Sequence, residues 1–270
     1  MYNWKTADIQ RYFEERPITE FQMKAAWSNF RVVLVRPRNP LNIGAAARAM
    51  ANFGLRELMV VAPHPPVWQE TRSAVGAEEI IRSARAVDQL REAIGDQTWV
   101  VGTTSGSRRN LDRELIPLDQ LDRWLPARAR RGRVALLFGS EKTGLSNEEM
   151  SFCHALVRIP TAARCPSMNL GQAVAVCAYE LARAGAVPTR PPATTTHQSD
   201  PANLQSIDHV FARAARVLAE VGYIKPKSRD ATLIKLRRLL LDLGLTNNDV
   251  KILGGVLAQI EWKINKENSE

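Results

Sequence analysis

The chain has 270 residues, 45% of them hydrophobic and 6% aromatic, which suits one main domain with a sizeable core and a smaller companion. Lys and Arg number 37 against 28 Asp and Glu, a net +9 that a small neutral substrate does not call for and a polyanion does. No run reaches the roughly 18 apolar residues of a membrane span, the opening MYNWKTADIQRYFEERP carries acids where a signal peptide needs an apolar stretch, and Cys153, Cys165 and Cys177 lack a C-x-x-C pair or clustered histidines. A cytoplasmic protein with neither disulfides nor a metal is expected.

Residues 1–29 read as an amphipathic lead-in, with Ile9, Tyr12 and Phe13 at helical spacing before Pro17 breaks the pattern. From there short β-rich runs alternate with helical segments: RVVLV (31–35), LMVVA (58–62), WVVGTT (99–104), VALLFGS (134–140) and LVRIP (156–160). That alternation predicts an α/β domain with a parallel sheet over 30–186. The Pro- and Thr-rich stretch 187–204 reads as a linker. Beyond it Ile207, Val210, Phe211, Ala214, Leu218 and Val221 repeat at 3.6-residue spacing, as do Leu233, Leu236, Leu240 and Leu243. TNND (246–249) predicts a capped last helix through Val250, Leu253, Leu257 and Ile260, so 205–265 is expected to be a small helical domain.

The positive charge is clustered, in VRPR (35–38), GSRRNLDR (106–113), RWLPARARRGR (123–133) and KPKSRDATLIKLRR (225–238). Such clusters serve a nucleic-acid backbone, or they are solvated faces.

Three stretches carry candidate chemistry. In PRNPLNIGAAARAMANFG (37–54), Asn42 is read as a helix cap, Ile43, Ala47, Met50 and Phe53 as the buried stripe, and Gly54 as the stop. Gly44 lies one turn before Arg48, so a guanidinium projects from a stretch, 44–49, that is otherwise glycine and alanine. LLFGSEKTGLSNEE (136–149) has the outer G-x-x-x-x-G spacing of a phosphate loop, but Leu145 stands where that loop needs lysine, and Glu141 would repel phosphate. Ser146 and Glu149 form a capping box after it. In RIPTAARCPSMNLGQAVAVCAYEL (158–181), Ser167 and Asn169 sit where a loop meets a helix, able to cap it or to hold a polar ligand edge. His64, His154, His197 and His209 lie away from all three stretches.

Together, in this order, the three stretches resemble the motifs of the SPOUT class of methyltransferases, within it the TrmH (SpoU) group of RNA ribose 2′-O-methyltransferases. N-x-G-x-x-x-R falls on Asn42, Gly44 and Arg48, F-G-x-E-x-x-G-L on Phe138 to Leu145, and I-P…S-x-N-L on Ile159, Pro160, Ser167, Asn169 and Leu170. VGTTSGSRR (101–109), GYI (222–224), KLRRL (235–239) and ILGGVLAQIE (252–261) resemble the TrmJ branch, which methylates cytidine or uridine at the 5′ edge of the tRNA anticodon loop. The resemblance covers about residues 31–262.

It implies a parallel sheet whose C-terminal part is threaded as a trefoil knot, followed by helices. It also implies S-adenosylmethionine held by Thr103, Thr104, Gly139, Glu141, Ile159, Ser167, Met168 and Asn169. A homodimer is implied, with the active site at the subunit interface and Arg48 and Asn42 as catalytic residues. Arginine stays charged near neutrality and is a poor base, so Arg48 is expected to orient the 2′-hydroxyl and stabilise its developing negative charge. The expected RNA contacts are Arg36, Arg38, Arg108, Arg109, Lys142, Lys235, Arg237 and Arg238. Lys142 departs from the arginine that close relatives often carry there, keeping the charge but losing bidentate geometry.

Overall fold

The computed structural model describes residues 29–64, 68–105, 113–129, 131–183 and 200–267. The expected lead-in and most of the expected linker lie outside the described residues, as do Arg108 and Arg109.

In chain order the elements are β1 (Phe30–Val35), α1 (Pro40–Asn52), β2 (Glu57–Val61), α2 (Glu78–Ser83), β3 (Arg85–Val87), α3 (Leu90–Ile94), β4 (Trp99–Thr103), β5 (Leu115–Pro117), α4 (Leu121–Ala129), β6 (Val134–Phe138), α5 (Asn147–Met150), β7 (Ala155–Arg158), α6 (Leu170–Arg183), α7 (Leu204–Glu220), α8 (Arg229–Asp242) and α9 (Asn247–Glu267). The strands form one sheet in the order β3-β2-β1-β6-β4-β7-β5, and every neighbouring pair is parallel. The five long apolar runs became strands as expected. β3 and β5 were not anticipated, being three residues long with no apolar run to announce them.

β1 is buried along its whole length, as a central parallel strand covered on both faces must be. Its period of two divides the core. Phe30, Val32 and Leu34 face α1 and α6, packing with Ile43, Ala47, Met50, Val174 and Leu181. Val33 and Val35 face the other way, into a cluster that includes Ile94 of α3, Ile207 and Phe211 of α7, and Leu240 and Leu241 of α8. The C-terminal helices therefore cover the second face of the sheet. Main-chain bonds tie them there, from Leu204 N–H to the Gln97 carbonyl and from Gln205 N–H to that of Gly95, both 2.9 Å.

This packing corrects one expected RNA contact. Arg237 is only 4% exposed: Nη1 donates to Ser151 Oγ at 2.9 Å, Nε lies 3.6 Å from the Asp208 carboxylate, and the guanidinium stands 4.1 and 4.2 Å from the Phe152 and Phe211 ring centres. Its work is to bind α8 to the sheet. Leu243, expected in the buried stripe of α8, is 58% exposed, and Arg237 and Leu241 lie on the covered face instead.

Candidate active site

Three loops at the carboxyl ends of β1, β6 and β7 meet beside the N-termini of α1 and α6. This is the edge of a parallel sheet where ligands collect. The first loop turns sharply at Arg36, whose φ is +52°, and enters α1 through Asn39 and Pro40. Asn39, not Asn42, is the cap: its side chain accepts from Leu41 N–H at 2.9 Å, and proline follows at the first helical position, where its missing N–H costs nothing. Asn42 is thereby released to act as a side chain within the first turn. The helix stops at Gly54, whose φ is +78°.

The second loop is held by two glycines for different reasons. A Cβ on Gly139 would stand 2.1 Å from the carbonyl carbon of Gly144 and 2.2 Å from the nitrogen of Leu145, so no other residue fits without displacing main chain. Gly144 has φ +65° and donates its N–H to the Ser140 carbonyl at 2.7 Å, closing the turn. Ser146 and Glu149 form the expected capping box at α5. Glu149 also receives Arg36, Nε at 2.9 Å and Nη2 at 2.8 Å, a two-pronged pair that joins the first loop to the second and commits the Arg36 guanidinium.

One chain of hydrogen bonds links all three loops. Glu141 accepts from the N–H groups of Arg38 and Asn39, at 2.9 and 3.2 Å, and from Asn42 Nδ2 at 2.8 Å. Asn42 Oδ1 in turn accepts from Asn169 Nδ2 at 2.8 Å. Asn169 Oδ1 accepts from Gly171 N–H at 2.9 Å and Gln172 N–H at 3.3 Å, capping α6. Desolvation works against the Glu141 carboxylate, but the bond from Asn42 and the main-chain donors outweigh it and hold its pKa below the usual value. Glu141 is thus an ionised brace for the start of α1.

Between the second and third loops opens a cleft of about 480 Å³. Thr103, Thr104, Gly139, Glu141, Ile159, Ser167 and Met168 all line it, beside Phe138, Leu145 and Leu170. Asn169, expected with them, is exposed and is not among the lining residues; it takes part in the hydrogen-bond chain instead. Thr103 Oγ1 already donates to the Leu137 carbonyl at 3.0 Å, and Thr104 N–H to that of Val157 at 2.9 Å. The lining mixes apolar side chains with neutral hydroxyls, and among the described residues Glu141 and Lys142 supply its only ionic side chains. Such a surface fits a ligand with one flat apolar part and one polar part.

Arg48 projects from α1 exposed, without a hydrogen bond or ion pair among the described residues. The bareness of its helix has two structural reasons that the sequence did not disclose. Gly44 is buried because Thr71 and Ser73 lie against it; a Cβ there would meet Ser73 Oγ at 2.3 Å and Thr71 Oγ1 at 2.4 Å. On another side, a Cβ on Gly171 of α6 would meet the Cβ of Ala45 at 2.7 Å, so α1 and α6 touch through small residues. Of the other expected RNA contacts, Arg38, Lys142 and Lys235 are exposed, while Arg238 is half-buried, 3.6 Å from Asp242. His154 is a structural residue: its Nδ1 accepts from Val100 N–H at 3.1 Å, and loss of solvation with the charges of Arg113 and Arg128 pushes its pKa down to about 3.

Residues 29–179 match the SpoU rRNA methylase family, and residues 205–269 match the C-terminal domain of the tRNA methyltransferase TrmJ. The tRNA (cytidine/uridine-2′-O-)-methyltransferase TrmJ of Escherichia coli K12 is 34% identical over 242 residues, covering 89% of this chain and 98% of that protein. The tRNA (cytidine/uridine/adenosine-2′-O-)-methyltransferase TrmJ of Pseudomonas aeruginosa is 34% identical over 239 residues, 86% of this chain and 93% of the relative. The crystal structure of TrmJ from Z. mobilis ZM4 superposes with a TM-score of 0.74 at 28% identity, over 86% of this chain and 98% of the other.

Proposed function

The chain belongs to the SpoU methylase family and is a TrmJ-type tRNA 2′-O-methyltransferase, and from that premise we propose that it methylates a pyrimidine ribose at the 5′ edge of the anticodon loop, using S-adenosylmethionine. The observation that carries the site assignment is the Glu141–Asn42–Asn169 chain, which joins a cofactor-sized cleft to the helix bearing Arg48.

The cleft suits the cofactor chemically. Phe138, Leu145, Ile159 and Met168 offer apolar walls for an adenine, and the hydroxyl of Ser167 and the main chain of 139–144 offer polar partners for ribose and amino-acid groups. When bound, the cofactor's sulfonium supplies an activated methyl group. The protein's part is positioning and charge stabilisation. Arg48 holds the 2′-hydroxyl and the adjoining phosphate, and stabilises the negative charge that grows as the hydroxyl proton passes to solvent water. Asn42, fixed on both sides by Glu141 and Asn169, sets the start of the helix from which Arg48 projects. Arg38, Lys142, Lys235 and Arg238 contact RNA phosphates, with Arg108 and Arg109 from the segment outside the described residues; Arg36 adds to that field while bound to Glu149.

Two further features of this reading have support in the fold. β6 inserts between β1 and β4, and β7 between β4 and β5, which is compatible with a trefoil-threaded segment from β6 to α6. Leu41 of α1 and Tyr179 of α6 are 53% and 50% exposed on helices beside the site, which suits a homodimer whose partner completes the active site. The protein acts in the cytoplasm; the helices expected as a separate domain at 205–265 begin at Leu204, the last residue of the expected 187–204 linker, and share a core with the sheet of the 30–186 domain. None of these steps requires a metal.

The test is to incubate the protein with labelled S-adenosylmethionine and either tRNA or rRNA transcripts, then map ribose methylation. A 2′-O-methyl cytidine or uridine at the 5′ edge of the anticodon loop is expected. A mark on adenosine alone, a mark on rRNA only, or cofactor binding without turnover would each overturn a stated part of the reading.

A further inference from the structure

Thr71 and Ser73 lie against Gly44 so closely that only glycine leaves room for them. Their hydroxyls are 2.8 Å apart, and Ser73 Oγ donates to the Leu41 carbonyl at 2.6 Å. The Ser73 hydroxyl therefore fastens the turn to the start of α1, and the Thr71 hydroxyl bonds Ser73 within that turn while packing against Gly44. Between them stands Arg72, exposed and without a hydrogen bond or ion pair among the described residues.

Leu41, Gly44 and Arg48 fall at i, i+3 and i+7, one face of the helix. The turn that carries Arg72 is thus seated on the same face as Arg48, one helical turn away from it. A turn held by the Ser73–Leu41 bond and by the packing of Thr71 and Ser73 against Gly44 has already given up much of its freedom, so a guanidinium on it meets an anion at little further entropic cost. Among the described residues nothing in the packing needs an arginine at this position: the side chains that fill the gap are its neighbours on either side.

We propose that Arg72 is a substrate-binding residue, gripping an RNA phosphate next to the nucleotide whose ribose Arg48 engages. This rests on the reading of the protein as a tRNA ribose methyltransferase. Arg48 and Arg72 then form a two-point clamp on the strand: Arg48 meets the reacting nucleotide, and Arg72 sets the path of the backbone beside it. The segment 71–73 is consequently part of the RNA surface, although no motif marks it.

Equilibrium binding of tRNA to the full chain over a range of salt concentrations tests this, alongside steady-state methylation. Arg72→Ala is expected to weaken tRNA binding about tenfold, and to make the log–log salt dependence shallower by about 0.7 to 0.9, one phosphate contact. The methylation defect should fall on KM for tRNA more than on kcat, with Arg72→Lys recovering part of it. Arg85→Ala, the same charge loss at an exposed position where β3 begins, is expected to leave the salt slope as it was. Gly44→Ala, which must dislodge Thr71 and Ser73, should weaken tRNA binding even with Arg72 present. An Arg72→Ala protein with the wild-type slope and KM overturns the proposal, as does one that loses its oligomeric state, since the arginine would then be a subunit contact. Wild-type protein that binds tRNA but methylates none would instead sink the functional reading.

Discussion

The two ends of the sheet carry two clefts, and the smaller one holds the candidate chemistry. At the amino ends of β1, β2 and β3 a cavity of about 830 Å³ is lined by Arg31, Arg56, Glu57, Arg85 and Asp96. At the carboxyl ends the cleft measures about 480 Å³ and is lined mainly by main chain, hydroxyls and apolar side chains. Around Arg31 the larger cavity has spent its charges internally. Arg31 donates to Glu57, to Asp96 at 2.9 Å and to the Ala93 carbonyl at 2.7 Å, and Arg133 pairs with the same two carboxylates. Burial works against the charge of Arg31, yet Asp96 and Glu57 together hold its pKa above the ordinary arginine value. In the smaller cleft the polar groups are braced by one another and still face open space. A site is recognised by what remains uncommitted, more than by volume.

That contrast can be broken first at Arg48. Arg48→Ala should lower methyl transfer by about 10²- to 10³-fold, the loss expected for one transition-state donor, with cofactor affinity little altered when measured by calorimetry. Equal activity in the variant would remove Arg48 from the mechanism. Gly139→Ala should weaken cofactor binding about tenfold or more, because its methyl group collides with main chain at Gly144 and the loop must deform. Retained affinity would mean that the loop does not shape the site.

At the opposite end, Arg31→Met should reduce stability by about 1–3 kcal/mol, through lost bonds to charged partners, while cofactor affinity stays within about twofold. Denaturant unfolding and calorimetry on the same protein separate the two effects. A loss of cofactor binding without a loss of stability would reverse the roles assigned to the two ends. The smallest effect concerns pH. Because the folded pKa of Glu141 is depressed, its brace on α1 is fully present above the unfolded carboxylate value and is lost as pH falls through the folded one. Cofactor affinity should therefore be flat from neutrality down to about pH 4.5 where Glu141 is concerned, and a Glu141→Gln protein should lack any fall found at lower pH.

The long strands and the three site loops were legible because each is written locally, as an apolar run or as glycines and caps at fixed offsets. What escaped was set by partners distant in sequence. The cap at Asn39 was in fact written in the sequence, since asparagine before Pro40 is a helix-start signal, but Asn42 masked it. Arg237 looked like part of a basic surface because it lies in KLRR, whereas its spacing from Leu233, Leu240 and Leu241 puts it on the buried face of α8. Gly44 was read as clearance for Arg48; its neighbours Thr71 and Ser73 lie almost thirty residues on, and no local pattern points to them. The Glu141–Asn42–Asn169 chain unites three motifs whose residues were each identifiable, but the bonds between them exist only once the sheet brings its carboxyl ends together.

Amide hydrogen exchange with and without S-adenosylmethionine tests most directly which end of the sheet receives the cofactor. Slowed exchange confined to 103–105, 138–145 and 159–169 is the expected result. Protection centred on 56–59 and 95–96, with the carboxyl-end loops unaffected, would contradict the assignment.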